Sequence, residues 1–380
     1  MMALGIARKI KPGTIIRDRY RIEKPIGRGG FGRIYLVQDL HRFEQSCALK
    51  EFMAPRSTEP VLLEKTRDLF RREANILHQI NHPQVPQLLA YFEEDERLIL
   101  VEEYIQGQTY EELLQARQQQ NRTFSEAHIV KLLAGLLPVL HYLHNRNLIH
   151  RDISPDNIMQ PDDRGRPMLI DFGLVKSVLN QTEGFSIVAG KPGFSPPEQL
   201  TWGHCGPTSD LYALGATLIS LLTGLKPTRL FNPENQTWHW QDHCRVHSGT
   251  AQILNRMVAG TIQDRYPSAQ SIYQDLKPLW NQLKSAQLQT KSSSTPGLST
   301  QPTSLVTPSP ALSTTQNLGP EFIDRCKQEL AHHIGPIASF VLKEVMKRQA
   351  HSCPESLVVA IAKEIPDSQA ANAFRQKLLA

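Results

Sequence analysis

Cysteine is scarce in this chain. Cys47, Cys205, Cys244, Cys326 and Cys353 are the five in 380 residues. They are odd in number and none falls in a CxxC pair, which argues against a disulfide framework or a zinc site and fits a reducing compartment. Long apolar runs are missing too. The longest, Ile129 to Leu143, is interrupted by Lys131, Gly135, Pro138 and His141, so no membrane span is expected. Met1 to Lys11 carries Arg8, Lys9 and Lys11 with no apolar stretch behind them, so no signal peptide is expected and a cytoplasmic location is. No block of five Lys or Arg appears and the formal net charge is only +5. Neither charge nor any binding signature points to nucleic acid.

What is present suffices for a core: 40% of residues are hydrophobic and 21% charged. Composition divides the chain into three regions. Residues 15–283 alternate apolar segments with Gly/Pro turns. Residues 284–318 are dominated by Ser, Thr, Pro and Gln, with almost no charge and no aromatics. Such a stretch cannot bury enough apolar surface to offset its ordering entropy and reads as a disordered linker. Residues 319–380 read as a small helical domain. Ile334, Ile337, Ala338, Val341, Leu342 and Val345 recur at three- and four-residue steps, and further helices are expected over Pro354–Lys363 and Asp367–Leu379.

The first region itself changes character. Arg21–Ile26, Arg33–Asp39, Ser46–Phe52, Leu88–Glu93 and Leu98–Tyr104 read as strands, with a helix after Thr66 carrying Leu69, Phe70, Ala74, Ile76 and Leu77. Beyond Glu111 helices dominate, notably Ser125–His144 and Ser209–Thr223. The expectation is an α+β protein with two lobes, a five-stranded sheet with one helix and then a mostly helical part.

Gly27-Arg28-Gly29-Gly30-Phe31-Gly32 lies between two of those strands. Glycines let the backbone approach phosphate oxygens with no Cβ in the way, although a Gly-rich hairpin satisfies the same pattern. It is not a dinucleotide fingerprint, because a strand follows where that fold needs a helix. Lys50 ends a later strand and Glu73 lies on the following helix, where it could orient Lys50 by an ion pair. Then comes His150-Arg151-Asp152-Ile153-Ser154-Pro155-Asp156-Asn157, followed by Leu169-Ile170-Asp171-Phe172-Gly173. Two carboxylates and an Asn so close together suit a metal-phosphate site.

In this order, these motifs resemble the eukaryotic-type Ser/Thr protein kinases over nearly all of Tyr20 to Leu276, and the wording is most similar to bacterial, cyanobacterial-like members. Ser195-Pro196-Pro197-Glu198 resembles the end of an activation segment. Asp210 with Tyr212 and Gly215 resembles the start of the central helix, and Arg265 sits where an Arg pairs with Glu198. The resemblance implies a bilobal kinase fold with a small all-α C-terminal domain, and a reaction that uses ATP and magnesium, with manganese as a substitute. Gly27, Arg28, Gly29, Gly30, Phe31, Gly32, Ile34, Ala48, Lys50, Glu103, Ile105 and Met159 would hold the nucleotide. Lys50 would contact phosphates and pair with Glu73, Asp152 would accept the substrate proton, and Asn157 and Asp171 would bind metal. Glu102 falls where the back pocket is controlled, a position more often apolar. Arg151 would meet an activation-loop phosphate, with Ser177, Thr182, Ser186 and Ser195 as the available hydroxyls.

Two positions depart from the family pattern. Ser154 stands where the catalytic loop usually has Lys, and Lys191 where the activation segment usually has Thr. The expectation is a swap, with the Lys191 amine reaching the Asp152 carboxylate and Ser154 nearby. The implied partners are proteins presenting Ser or Thr, together with a regulatory partner for residues 319–380. Two other readings stay open: a pseudokinase scaffold that binds without catalysis, and a small-molecule phosphotransferase.

Overall fold

The computed structural model describes residues 9–29, 32–53, 60–94, 97–163, 165–172 and 190–292. In the C-terminal stretch it describes 320–334, 338, 341–342, 345–346, 354–363, 365 and 368–379. The chain divides into two units, Met1–Ala269 and Gln270–Ala380.

The first unit opens with an antiparallel sheet. Tyr20–Gly29 (β2), Gly32–Asp39 (β3), Gln45–Met53 (β4), Leu88–Glu94 (β5) and Arg97–Glu103 (β6) correspond to the five expected strands. A sixth, Ile15–Ile16 (β1), corrects that count. Arg17 and Asp18 adopt left-handed backbone, each with φ of 52°, and turn the chain so that Ile16 pairs with Tyr20. The sheet order is β1-β2-β3-β4-β6-β5.

Side chains alternate across the sheet. Tyr35, Val37, Cys47, Leu49, Ile99 and Val101 form an apolar cluster on the outer face, covered by Ile10 and Ile16. Register places Ile34, Ala48, Lys50, Leu100 and Glu102 together on the opposite face. Helix α1, Pro60–His78, packs against β5 and β6. It begins at Pro60 rather than after Thr66, because Pro is already set for a helix's first turn and Leu, Glu and Lys propagate it.

A helical part follows: α2 (Tyr110–Gln118), α3 (Glu126–His144), α4 (Pro197–Trp202), α5 (Pro207–Thr223) and α6 (Ser248–Met257). Helix α5 has Pro at its first turn and ends on Gly224 with φ of 72°, the left-handed conformation that glycine adopts at least cost. Leu211, Leu214, Leu218 and Leu221 are fully buried along it, each contributing about 1.5–3 kcal/mol. Helices α3 and α6 both pack on α5. Among the described residues α3 alone is long and apolar enough to cross a membrane, and most of it is buried inside the protein. Gly107–Thr109 (β7), Ile158–Pro161 (β8) and Met168–Leu169 (β9) form a small sheet in the order β7-β8-β9, with β8 following directly on residues 150–157.

In the second unit, α7 (Ala269–Ser292) corrects the expected linker boundary. The helix runs past Leu283 because Lys, Ala, Gln and Leu, all good helix formers, continue it. Residues 293–319 lie outside the described residues. Helices α8 (Pro320–Ile334), α9 (Pro354–Ala362) and α10 (Ser368–Leu379) follow. Between α8 and α9, Ala338, Val341, Leu342 and Val345 are helical and buried, on the spacing read from the sequence. Helix α8 was not expected as a separate helix; among its described side chains Cys326 and Leu330 are buried. Lys377 of α10 pairs with Glu329 of α8 at 2.7 Å.

Candidate active site

Lys50 stands on β4 between Ile34 and Leu100, on the inner face of the sheet. Its ammonium is buried and lies 2.7 Å from Glu102 Oε2 and 3.6 Å from Asp171 Oδ1. Burial alone would push its pKa down. Glu102 first, and Asp171 after it, outweigh that and hold it above the ordinary lysine value. The side chain of Glu73, expected on Lys50, lies outside the described residues, although its backbone is in α1. Glu102 is a satisfied buried carboxylate whose partner is the nucleotide lysine itself.

Asp152 is fixed by its own loop. Asn157 Nδ2 donates to the Asp152 carboxylate at 2.8 Å and to its backbone carbonyl at 2.7 Å. The loop hangs from α5. Buried Asp210, in that helix's first turn, accepts from the His150 and Arg151 N–H groups at 2.9 Å each and contacts His144 Nε2 at 2.9 Å. A carboxylate at a helix N-terminus is also favoured by the helix dipole. Gln199 Nε2 adds a bond to the Arg151 carbonyl at 2.8 Å. These contacts hold Arg151 at φ of 68°, a conformation costing a non-glycine residue on the order of 1–3 kcal/mol. Asp171 is held similarly, at φ of 60°. The Ile170 N–H donates to the Asn157 carbonyl at 3.0 Å, and the Phe172 ring lies 4.4 Å from that of His150. The two expected metal-binding residues therefore lie on adjoining, mutually bonded segments.

Lys191 does reach the catalytic loop, but onto a different carboxylate from the one expected. Its ammonium pairs with both oxygens of Asp156 and donates to Ser154 Oγ at 3.2 Å. Ser154 Oγ in turn donates to Asp156 at 2.7 Å. The expected Asp152 carboxylate accepts instead from Asn157. Burial pushes the Asp156 carboxyl up, but hydrogen bonds from Lys191 and Ser154 more than offset it, leaving its pKa below the usual value. The Lys191 N–H also donates to Ser195 Oγ at 2.8 Å, tying this segment to the turn that precedes α4. Sequence reasoning quoted Asp156 within the motif and gave it no role; an acidic residue two positions from an anomalous Ser was the available signal.

Behind that turn, Glu198 and Arg265 pair as expected, at 2.7 and 3.0 Å, with Ser209 Oγ donating to Glu198 at 3.0 Å. Arg265 is fully buried and stacks 4.6 Å over the Tyr212 ring.

The glycine loop is partly described. Gly30 and Phe31, and the side chain of Arg28, lie outside the described residues, as do Gly173, Ser177, Thr182 and Ser186. Gly27 and Gly29 are the tip of β2 paired with β3. At Gly32 a Cβ would lie 1.6 Å from the Glu51 carbonyl oxygen, so close strand approach demands glycine there. Ile34, Ala48, Ile105 and Met159 are half-buried. The Glu103 N–H donates to the Gln87 carbonyl at 2.9 Å and so is not open to a base.

Among the described residues no group of three or more His, Cys, Asp or Glu could hold a metal ion by itself. Magnesium in phosphoryl transfer asks less, one or two protein oxygens with the rest from phosphate and water. Asn157 and Asp171 are hard oxygen donors of that kind. With both its N–H groups directed at Asp152, Asn157 keeps its amide oxygen as an acceptor, so the residues fit the ion.

Comparison with known proteins identifies the family. A family model described as protein kinase domain matches residues 20–301, and one described as a domain of unknown function (DUF8082) matches residues 321–380. Serine/threonine-protein kinase C of Synechocystis sp. is 38% identical over 280 residues, covering 70% of this chain and 51% of that protein. Serine/threonine-protein kinase PknA of Nostoc sp. is 35% identical over 274 residues, covering 69% and 48%. The chain thus spans about half the length of these relatives. Among solved structures, the PpkA-294 apo form superposes with a TM-score of 0.60 at 27% identity, covering 70% of this chain and 99% of that one. The Mycobacterium tuberculosis PknI kinase domain gives 0.55 at 22% identity, covering 72% and 99%, a likeness of fold.

Proposed function

This chain belongs to the protein kinase family, and we propose that it transfers the γ-phosphoryl group of ATP to Ser and Thr hydroxyls of proteins. The observation that carries this reading is the pairing of two fixed groups in one site. Lys50 is held within 3.6 Å of Asp171, and Asp152 is held by Asn157, whose carbonyl accepts from the Ile170 N–H next to Asp171. Phosphoryl transfer needs little covalent help and depends on positioning and charge neutralisation, which is what these residues supply.

In the proposed reaction Lys50 holds the α- and β-phosphates. The substrate hydroxyl oxygen bonds to the γ-phosphorus, the bond from phosphorus to the β–γ bridging oxygen breaks, and ADP leaves. Asp152 orients the hydroxyl and takes its proton. Magnesium held by Asn157 and Asp171 would neutralise phosphate charge. Lys191, which Asp156 and Ser154 hold in this structure, would turn to the γ-phosphoryl oxygens and supply the ammonium that the catalytic loop lacks. Ser154, in place of the usual Lys, is the only argument for a non-catalytic scaffold, and an ammonium beside it weakens that argument. We extend the proposal to autophosphorylation, to a signalling role in the cytoplasm and to a partner-binding role for residues 319–380.

The test is incubation with γ-labelled ATP, magnesium and a mixed protein substrate, followed by phosphoamino-acid analysis. Phosphoserine and phosphothreonine are expected. Label confined to tyrosine, or to small molecules alone, contradicts the proposal.

A further inference from the structure

Glu102 is out of character with its surroundings. Its neighbours on the inner face of the sheet include Ile34, Leu36, Ala48, Leu98 and Leu100, all apolar. A carboxylate only 9% exposed there loses hydration and needs a counter-charge. Register supplies one. Ala48 sits opposite Glu102, and Lys50, two residues further along the same face, is its diagonal neighbour. The resulting contact of 2.7 Å is closer than the 3.6 Å from Lys50 to Asp171. The nucleotide lysine is thus bound more closely by a sheet carboxylate than by the expected metal-binding one.

We infer that Glu102 is a positioning residue that holds Lys50 in the nucleotide-free protein and competes with the phosphates of ATP for it. The inference rests on the kinase reading above and deepens it. Lys50 has one charge and three N–H groups to share. Phosphate must draw that ammonium away from a carboxylate already in hydrogen-bonding contact, or share it at the cost of placing two anions side by side. Either way Glu102 weakens nucleotide binding. Lys50 contacts phosphate in the bound state as well as during transfer. Competition for it therefore acts on the affinity for ATP and leaves the rate of the bound complex nearly unchanged. Through its grip on Lys50, Glu102 sets the ATP concentration at which the protein responds.

The test uses the full chain with Glu102→Gln, which keeps shape and removes charge, and Glu102→Met, which keeps length and removes polarity should the amide disturb folding. Magnesium-ATP affinity is measured by calorimetry, and kcat and KM for ATP by phosphate transfer. Both Kd and KM should fall by about three- to tenfold, with kcat within about twofold of wild type. An unchanged or weaker Kd overturns the inference, and so does a tenfold fall in kcat at constant Kd. Wild type that binds magnesium-ATP but transfers no phosphate would sink the kinase reading instead, with the calorimetric comparison still deciding the role of Glu102.

Discussion

The Lys191 ammonium closes on the Asp156 carboxylate across 35 residues of sequence, joining the segment before α4 to the catalytic loop. Ser154 bridges the pair, bonded to both. The loop therefore receives from outside a lysine ammonium that its own sequence lacks, and receives it beside the residue that stands in the usual Lys position.

If that cation acts on the transferred phosphate, Lys191→Ala should lower kcat by about one to three orders of magnitude, the scale of one charged transition-state contact. Asp156→Asn should lower it in the same direction, and the double variant should be little worse than Lys191→Ala alone, because both remove one arrangement. Ser154→Lys combined with Lys191→Thr should recover part of the loss. Steady-state kinetics on the four variants checks this; an unchanged kcat for Lys191→Ala contradicts it.

The buried Arg265–Glu198 pair gives a stability prediction. Removing one partner strands the other charge, so Arg265→Ala should cost about 3–5 kcal/mol, read by denaturant unfolding. The pH dependence follows from Glu198. Burial raises its pKa, but the Arg265 and Ser209 hydrogen bonds more than reverse that and leave the carboxyl below its ordinary 4.5. A folded-state pKa below the unfolded one gives stability that is fully present above about pH 4.5 and lost as pH falls through the folded value. The stability gap between wild type and Glu198→Gln should therefore be constant near neutrality and narrow in acid. A gap that stays constant below pH 4 contradicts the assignment.

Gly32→Ala should disrupt the β3–β4 pairing, because its Cβ would overlap the Glu51 carbonyl, which belongs to the backbone and cannot rotate away. A loss of at least about 1–3 kcal/mol is expected. Gly27→Ala should be milder, since its nearest contact is the flexible Ile34 side chain at 3.4 Å. Thermal melting of the two variants distinguishes them.

Much of this architecture was legible from residue order. Five strands were readable from short, partly alternating segments between turn residues, and Lys50 was readable as a strand lysine near the glycine loop, but both faces of this sheet are apolar, so which face Lys50 takes came from the register. The Glu198–Arg265 pair was also readable, through its motif. Less accessible were features set by three-dimensional register. Nothing local says that Glu102 on β6 lies diagonal to Lys50 on β4, since that depends on how two distant strands align. Similarly, nothing local says that Lys191 meets Asp156 and not Asp152, since that depends on where the segment before α4 crosses the catalytic loop. Strand β1 was missed because two residues carry no periodicity, and the late end of α7 because helix propensity there outlasts the apolar pattern.

Every residue assigned a role in transfer precedes Ser292, where α7 ends. A chain stopped at residue 301, where the protein kinase match ends, should retain phosphate transfer to a generic protein within about threefold, since the second family match begins only at residue 321. Loss of both cooperative melting and activity on truncation would mean that residues 320–380 belong to the catalytic unit.

The central claim is that one site, built from Lys50, Asp152, Asn157 and Asp171, moves phosphate from ATP to protein. Its most direct test is transfer of label from γ-labelled ATP by purified wild type, Lys50→Ala and Asp152→Asn, with circular dichroism confirming that all three are folded. Wild type should label protein, and each variant should lose at least about two orders of magnitude. Full activity in either folded variant would contradict the account.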